Sequence, residues 1–390
     1  MSEIKVNSIK GVGASAAAIT VDNSSGSATA NLTTVNSVTM PNGGVFGNKN
    51  LVINGAMQVA QRGTSSTTNG YASLDRFRNV YNNTDANVTQ SQVDVASGTT
   101  PYTLGFRKAL KITNGNQTSG DNGDTNIQIW QRVESQNIAN SGWNYLSASS
   151  FVTLQFWVKS SVAQNFQCYL LNEDTTQNTF PFETGSLSAN TWTKVTKTIA
   201  GNSNLTFNND NGAGLRIAIC PFLGSNKTAN SLSLDTWATF DGNNFARDCT
   251  TTWLTTNAAT FEITGVQLEV GSVSTDFEFE LASVTLARCQ RYFCQDFASN
   301  IGTMYESWSG PNGRFATFNY PVEMRSAPTV NITNGVDGVV NGGFSNGSGG
   351  AVTVTSNASK SSVYFYNATT AFQLTGLTNG SAGASFSAEL

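Results

Sequence analysis

The sequence predicts an all-β protein: a jelly-roll β-sandwich followed by a helix and a C-terminal β-sandwich domain, with an extended N-terminal anchor ahead of them. Three observations carry this. Charged residues are only 12% of the 390 positions, and the remaining polarity is Asn, Ser, Thr and Gly, which favour turns and the solvent faces of strands over helices. Apolar and polar residues alternate over many short runs, the period of a strand with one buried face. Turn signals such as Asp121-Asn122-Gly123, Asn211-Gly212 and Asp241-Gly242 separate the runs, as in a sandwich or jelly roll.

Residues 1–47 contain two alternating fragments, Ile4 to Ile9 and Ala18 to Val21, but few bulky side chains. Alone they bury little apolar area, so they either stay disordered in the isolated chain or act as an anchor that folds against a neighbouring protein. Residues 48–280 hold the main strands. Val152, Leu154, Phe156 and Val158 share one face, and Thr191 to Ile199, Leu215 to Cys220 and Phe261 to Val270 continue the set. Residues 281–299 change period. Ala282, Leu286, Cys289, Phe293 and Phe297 recur near every 3.5 residues, a narrow helical seam that either packs on its own sheet or meets copies of itself around a threefold axis. Residues 300–390 form a second β region, led by Phe315 to Arg325 and Ala327 to Val330.

Composition excludes several functions. Net charge is −4 with no basic stripe, which argues against nucleic acid as a partner. No apolar run approaches the roughly 18–20 residues of a membrane span, and Met1-Ser2-Glu3-Ile4-Lys5 shows no signal-peptide core, so assembly in a cytoplasm is expected. Histidine is absent, which removes Ser-His-Asp and Cys-His triads and His-based metal sites. Cys168, Cys220, Cys249, Cys289 and Cys294 are irregularly spaced and read as free thiols rather than disulfides or a zinc site. No cofactor is expected. Asp121 to Asp124 and Asn208 to Gly212 have the oxygen chemistry of a calcium site but not the spacing of an EF-hand, and read as ordinary turns.

The only available catalytic set is carboxylates: Glu173-Asp174, Glu262, Glu269, Asp276, Glu278 and Glu280. No motif singles out a pair of the kind glycoside hydrolysis needs. A binding protein, not an enzyme, is the expectation. The arginines Arg62, Arg76, Arg132, Arg288 and Arg291 are expected to close loops through carboxylates and fix the module rather than bind a ligand.

The segment Asn50-Leu51-Val52-Ile53-Asn54-Gly55-Ala56-Met57, with Arg62-Gly63 and Leu74-Asp75-Arg76-Phe77, resembles the opening of a β-sandwich module found in tail fibres of tailed bacteriophages. Phe261 to Gly271 is similar to that module's last core strand, and Leu286 to Phe293 to its exit. The resemblance covers about residues 48–299. Leu154 to Lys159 and Trp192 to Val195 also resemble this family, whose module is similar to carbohydrate-binding jelly rolls. The resemblance implies a homotrimeric tail fibre that attaches a virion to host-surface glycan. Residues 1–47 would join a tail adaptor, nozzle or other virion protein. The alternatives are a head fibre or decoration protein with no receptor role, or a polysaccharide depolymerase.

Sugar recognition uses flat aromatic surface together with planar amides or carboxylates. Loop aromatics are the candidates: Trp143 and Tyr145 in a polar turn, Trp237 and Trp253 in the long segment from Gly224 to Ala259, and Tyr305, Trp308, Tyr364 and Tyr366 toward the distal end. Trp130 and Trp157 lie in strands and are expected on outer sheet faces.

Overall fold

The computed structural model describes residues 8–9, 19–21, 28–30, 49–117, 119–297, 314–333, 344–345, 355–367, 373–374 and 383–390. The chain divides into two compact units, Met1–Gly47 and Asn48–Leu390. In the first, β1 (Ser8–Ile9), β2 (Ile19–Val21) and β3 (Ala28–Ala30) form an antiparallel meander.

The second unit is built on a jelly-roll sandwich of two six-stranded antiparallel sheets. Its strands are β4 (Ser65–Ser66), β5 (Phe77–Asn82), β6 (Thr89–Asp94), β7 (Lys108–Thr113), β8 (Asn126–Glu134), β9 (Phe151–Ser160), β10 (Asn165–Asn172), β11 (Asn178–Ser186), β12 (Thr193–Ala200), β13 (Ala213–Leu223), β14 (Ala238–Thr239) and β15 (Thr260–Val270). One sheet runs β14-β11-β10-β13-β8-β5 and the other β12-β9-β15-β7-β6-β4. Alternation places Val152, Leu154, Phe156 and Val158 of β9 in one dry core with Cys168 and Leu170 of β10 and Ile217 and Ile219 of β13. Phe166 and Phe261 meet edge to face across the two sheets at 4.8 Å.

Within β15 the buried face changes parity, from Phe261 and Ile263 to Val266 and Leu268. The register shifts between Thr264 and Gln267, at Gly265 with φ +65°. An extra residue in a strand flips the faces beyond it, and glycine takes the left-handed conformation without a Cβ penalty. The lead-in segment fastens to this strand. Leu51 N–H donates to Leu268 O at 2.9 Å. The Asn50 side chain accepts from Val52 and Leu268 N–H and donates to Val266 O. Gly55 passes so close that a Cβ there would lie 2.0 Å from Val266 O. The two most telling stretches of sequence are therefore one structural joint.

The helix covers only Ala282–Gln290. This corrects the expected seam. Ala282 and Leu286 are exposed and Cys289 is buried, whereas Phe293 and Phe297 belong to a strand, β16 (Phe293–Phe297). Phe293 is buried, and the five residues do not form one helical stripe.

Beyond the helix, β16, β18 (Thr329–Thr333) and β23 (Gly383–Ser387) make one three-stranded sheet. A second contains β17 (Arg314–Asn319), β20 (Thr355–Ala358) and β21 (Ser362–Asn367), and β19 (Phe344–Ser345) pairs with β22 (Gln373–Leu374). Phe318 stacks on Phe386 at 5.1 Å, which packs the two three-stranded sheets together. The last residues return to the large sandwich: Ala388 N–H donates to Tyr292 O at 2.7 Å, and Glu389 pairs with Arg62 and Arg76. No helix among the described residues is long and apolar enough to cross a membrane.

Candidate functional site: an arginine-lined groove

Each of the five named arginines meets a carboxylate. Arg132 makes a two-pronged bond to Glu173 at 2.8 and 3.0 Å, and Arg291 does the same to the buried Glu134 at 2.9 and 3.0 Å. Arg288 pairs with Glu280, and Arg76 with Glu389. These are planar guanidinium–carboxylate contacts, the strongest hydrogen-bonding geometry available to the two groups. Asp75 is buried beneath this network, accepting from Gln61 N–H at 3.0 Å with Arg62 Nη1 at 3.7 Å. Burial raises its carboxyl to about 6 despite the Gln61 bonds and the nearby Arg62.

Arg62 also lines a groove of about 480 Å³, with Tyr71, Phe293, Gln295, Asn331, Ser385 and Ser387. Sheet register assembles the polar wall. Phe293 stands opposite Ser387 and Gln295 opposite Ser385 on β23, while Asn331 stands opposite Ser385 from the other side. The Arg62 guanidinium lies 3.4 Å from the centre of the Phe293 ring and 5.9 Å from that of Tyr71. Arg62 Nη1 is buried and has no hydrogen-bond partner among the described residues. Tyr71 donates to Leu390 O at 3.0 Å, and burial raises its phenol. The groove thus offers two amides, two hydroxyls and aromatic edges, beside an Arg62 guanidinium that already faces Asp75 and Glu389. That set can hydrogen-bond ring hydroxyls and contact C–H faces. None of the residues lining it is Asp or Glu.

The expected sugar-binding aromatics lie elsewhere. Trp143 is 3% exposed and donates its indole N–H to Ser150 O, and Trp253 is fully buried with its N–H on Thr260 O. Neither ring has a face left for a ligand, because each closes part of the core. Trp237 is half-buried against Phe180 at 5.4 Å, and Tyr145 stands edge-on to Phe207 at 4.9 Å. Tyr364 and Tyr366 lie on β21, with side chains outside the described residues, and Tyr305 and Trp308 lie outside them altogether. Trp130 and Trp157 do occupy outer sheet faces, packed against clusters outside the main core. Of the groove residues, Arg62 and Phe293 stood out in the sequence, each for a different role. Gln295, Asn331, Ser385 and Ser387 sit in strands far apart in sequence, and the β16-β23-β18 register brings them together.

The carboxylates of the catalytic reading serve structure. Glu173 holds Arg132 and Arg216, Asp174 accepts from Ser135 and Asn208, Glu262 pairs with Lys159, and Glu269 accepts from Thr275. In the oxygen-rich turns, Asp121 accepts from Gly123 and Ser225 N–H, and Asp210 from Gly212 N–H. Among the described residues no group of three or more acids or thiols could hold a metal ion.

No protein family and no curated protein matches the sequence. Solved structures that resemble the chain include the enzymatically active domain of tailspike protein 4 from bacteriophage CBA120. That match has 10% identity and a TM-score of 0.30, and covers 57% of this chain and 22% of the tailspike chain. A CBM4 structure matches at 12% identity and a TM-score of 0.28, over 56% of this chain and 99% of its own. The N-terminal cellulose-binding domain of Cellulomonas fimi β-1,4-glucanase C matches at 13% and 0.25, over 57% and 100%. The sandwich assignment rests on the sheets themselves, and similarities at these scores assign no ligand.

Proposed function

We propose that this protein is a non-catalytic, glycan-binding virion component, a homotrimeric tail fibre that holds a phage to its host through the arginine-lined groove. The observation that carries the reading is the groove lining: amides, hydroxyls and a guanidinium beside aromatic rings, with no acid among them. Hydrolysis of a glycosidic bond would need two opposed carboxyl groups at the substrate. Residues 1–47 serve as the anchor to a neighbouring tail protein, and the sequence resemblance supports that placement. Leu281, 75% exposed, with Val284 and Leu286 on the helix, supplies apolar surface for other copies to cover. Three copies convert weak single-site contacts into firm attachment.

The test is a bacterial surface-glycan array probed with the full chain and with Asn331→Ala. The expected result is binding that Asn331→Ala weakens about tenfold, the loss of a good polar contact, with no new reducing ends released. Release of reducing ends would make it a depolymerase. Absence of binding to any host glycan, with labelled protein on the capsid, would make it a head fibre or decoration protein. A monomer in light scattering at micromolar concentration would overturn the trimer.

A further inference from the structure

A second basic site lies on the outer face of the β14-β11-β10-β13-β8-β5 sheet. Register places Arg78 of β5 opposite Trp130 of β8, and Arg132 opposite Arg216 of β13. All four side chains are half-buried. The guanidinium carbons of Arg216, Arg132 and Arg78 lie 3.9, 5.3 and 5.4 Å from the centre of the Trp130 indole. Trp130 spends its N–H on Gln128 at 2.8 Å, so its ring surface is what it offers to the three cations.

The charges here do not balance. Glu173 serves both Arg132 and Arg216, and Leu390 O takes one more Arg132 donor. Arg78 has no carboxylate within ion-pair distance among the described residues, and Arg216 Nε is buried without a hydrogen-bond partner. Three guanidinium groups thus share one side-chain carboxylate, in a chain whose net charge is −4. Burial, and Arg132 beside it, hold the Arg78 guanidinium below its ordinary pKa. An arriving anion would relieve that repulsion.

We infer that the Arg78–Trp130–Arg216 patch binds the acidic group of a charged saccharide, a uronate carboxylate or a sugar sulfate. The inference rests on the glycan-binding reading above and adds a charge requirement at a separate site. A planar guanidinium fork matches a carboxylate or sulfate, and the indole lies next to it for a sugar ring. A nucleic acid is the weaker fit. Its binding needs many phosphates neutralised along a groove, and this patch is three arginines wide on an acidic chain.

The experiment uses the full chain with hexagalacturonate, its fully methyl-esterified form, a sulfated dextran oligomer and a thymidylate hexamer, measured by calorimetry at low salt. The acidic oligosaccharides are expected to bind about tenfold tighter than the ester, the worth of one charge-assisted hydrogen bond. Arg78→Gln is expected to erase that difference without moving the melting temperature, while Asn331→Ala leaves it intact. Equal binding of acid and ester overturns the inference, as do an unchanged Arg78→Gln, no binding of either acidic probe, or tighter binding of the thymidylate. Ester binding lost in Asn331→Ala, with no acid preference, overturns this inference and leaves the groove standing.

Discussion

Arg76, fully buried, donates from Nη1 to the carboxylate of Glu389, 313 positions later in the chain. Its second nitrogen donates to Arg132 O at 2.7 Å, and its guanidinium lies 3.5 Å from the centre of the Tyr292 ring. Burial opposes the charged guanidinium, but Glu389, Tyr292 and Tyr71 together outweigh it and keep Arg76 protonated. One pair thus ties the opening of the sandwich to the strand that lines the groove.

Removing one partner of that pair leaves an uncompensated buried charge. Glu389→Ala is expected to lower unfolding free energy by about 3 kcal/mol, measured in urea. Glu389→Ala together with Arg76→Met should recover part of it. A double variant worse than the sum of the two singles would contradict the pairing.

Asp75 gives stability an uncommon pH dependence. Its carboxyl is raised from 3.8 to about 6. Between those values the folded chain keeps a proton that the unfolded chain has lost. This contribution is therefore full at pH 3.8 and below, and falls as pH rises, by roughly 3 kcal/mol in all by pH 6. Asp75→Asn should remove the slope. The check is the stability difference between wild type and variant at pH 4.5 and 7; parallel curves would sink the assignment.

Gly55→Ala is expected to cost several kcal/mol, or to prevent folding, because backbone at Val266 O cannot give way by the required distance. Gly242→Ala, where a Cβ meets nothing within 4 Å, should stay within about 0.5 kcal/mol of wild type. Equal melting temperatures for the two variants would show that the joint is looser than described.

Much of the sandwich is legible in the sequence because a two-residue period is hard to satisfy by chance over a run such as Val152 to Val158. The face change at Gly265 goes unread there, because Phe261 to Val270 passes for one uninterrupted alternation. The helix end is not legible, for a reason of geometry. Residues four apart share a face in a helix and in a strand alike, so Phe293 and Phe297 extend the seam on paper while belonging to β16. Trp143 misleads for another reason. Its neighbours Ser141, Gly142 and Asn144 are those of an exposed turn, yet the indole folds inward and finds an acceptor in Ser150. The groove was invisible because Ser385, Asn331 and Gln295 are ordinary strand residues until β23 sets them side by side.

Trp143→Ala and Trp253→Ala should each lower stability by about 3–5 kcal/mol. In whatever fraction stays folded, glycan affinity should be unchanged. Lost affinity at full stability would return these rings to the binding surface.

None of the five cysteines is in a disulfide, and four of them are buried. Burial raises the thiols of Cys168, Cys220 and Cys289, and pushes Cys249 up to about 12, so little reactive thiolate forms at neutral pH. A chromogenic disulfide reagent should find almost no thiol in the native protein and all five in denaturant. Half-buried Cys249 is expected to react first.

Lys49 binds Thr275 and Asp276 at 2.5 and 2.7 Å, and Asn50 N–H binds Glu278 at 2.8 Å. The chain therefore enters the sandwich beside the point where it leaves. A pull applied between these two points runs through this short seam and the Asn50–Leu268 clasp, and spares the twelve strands between them. Tension between entry and exit can thus bypass the sandwich instead of stretching it.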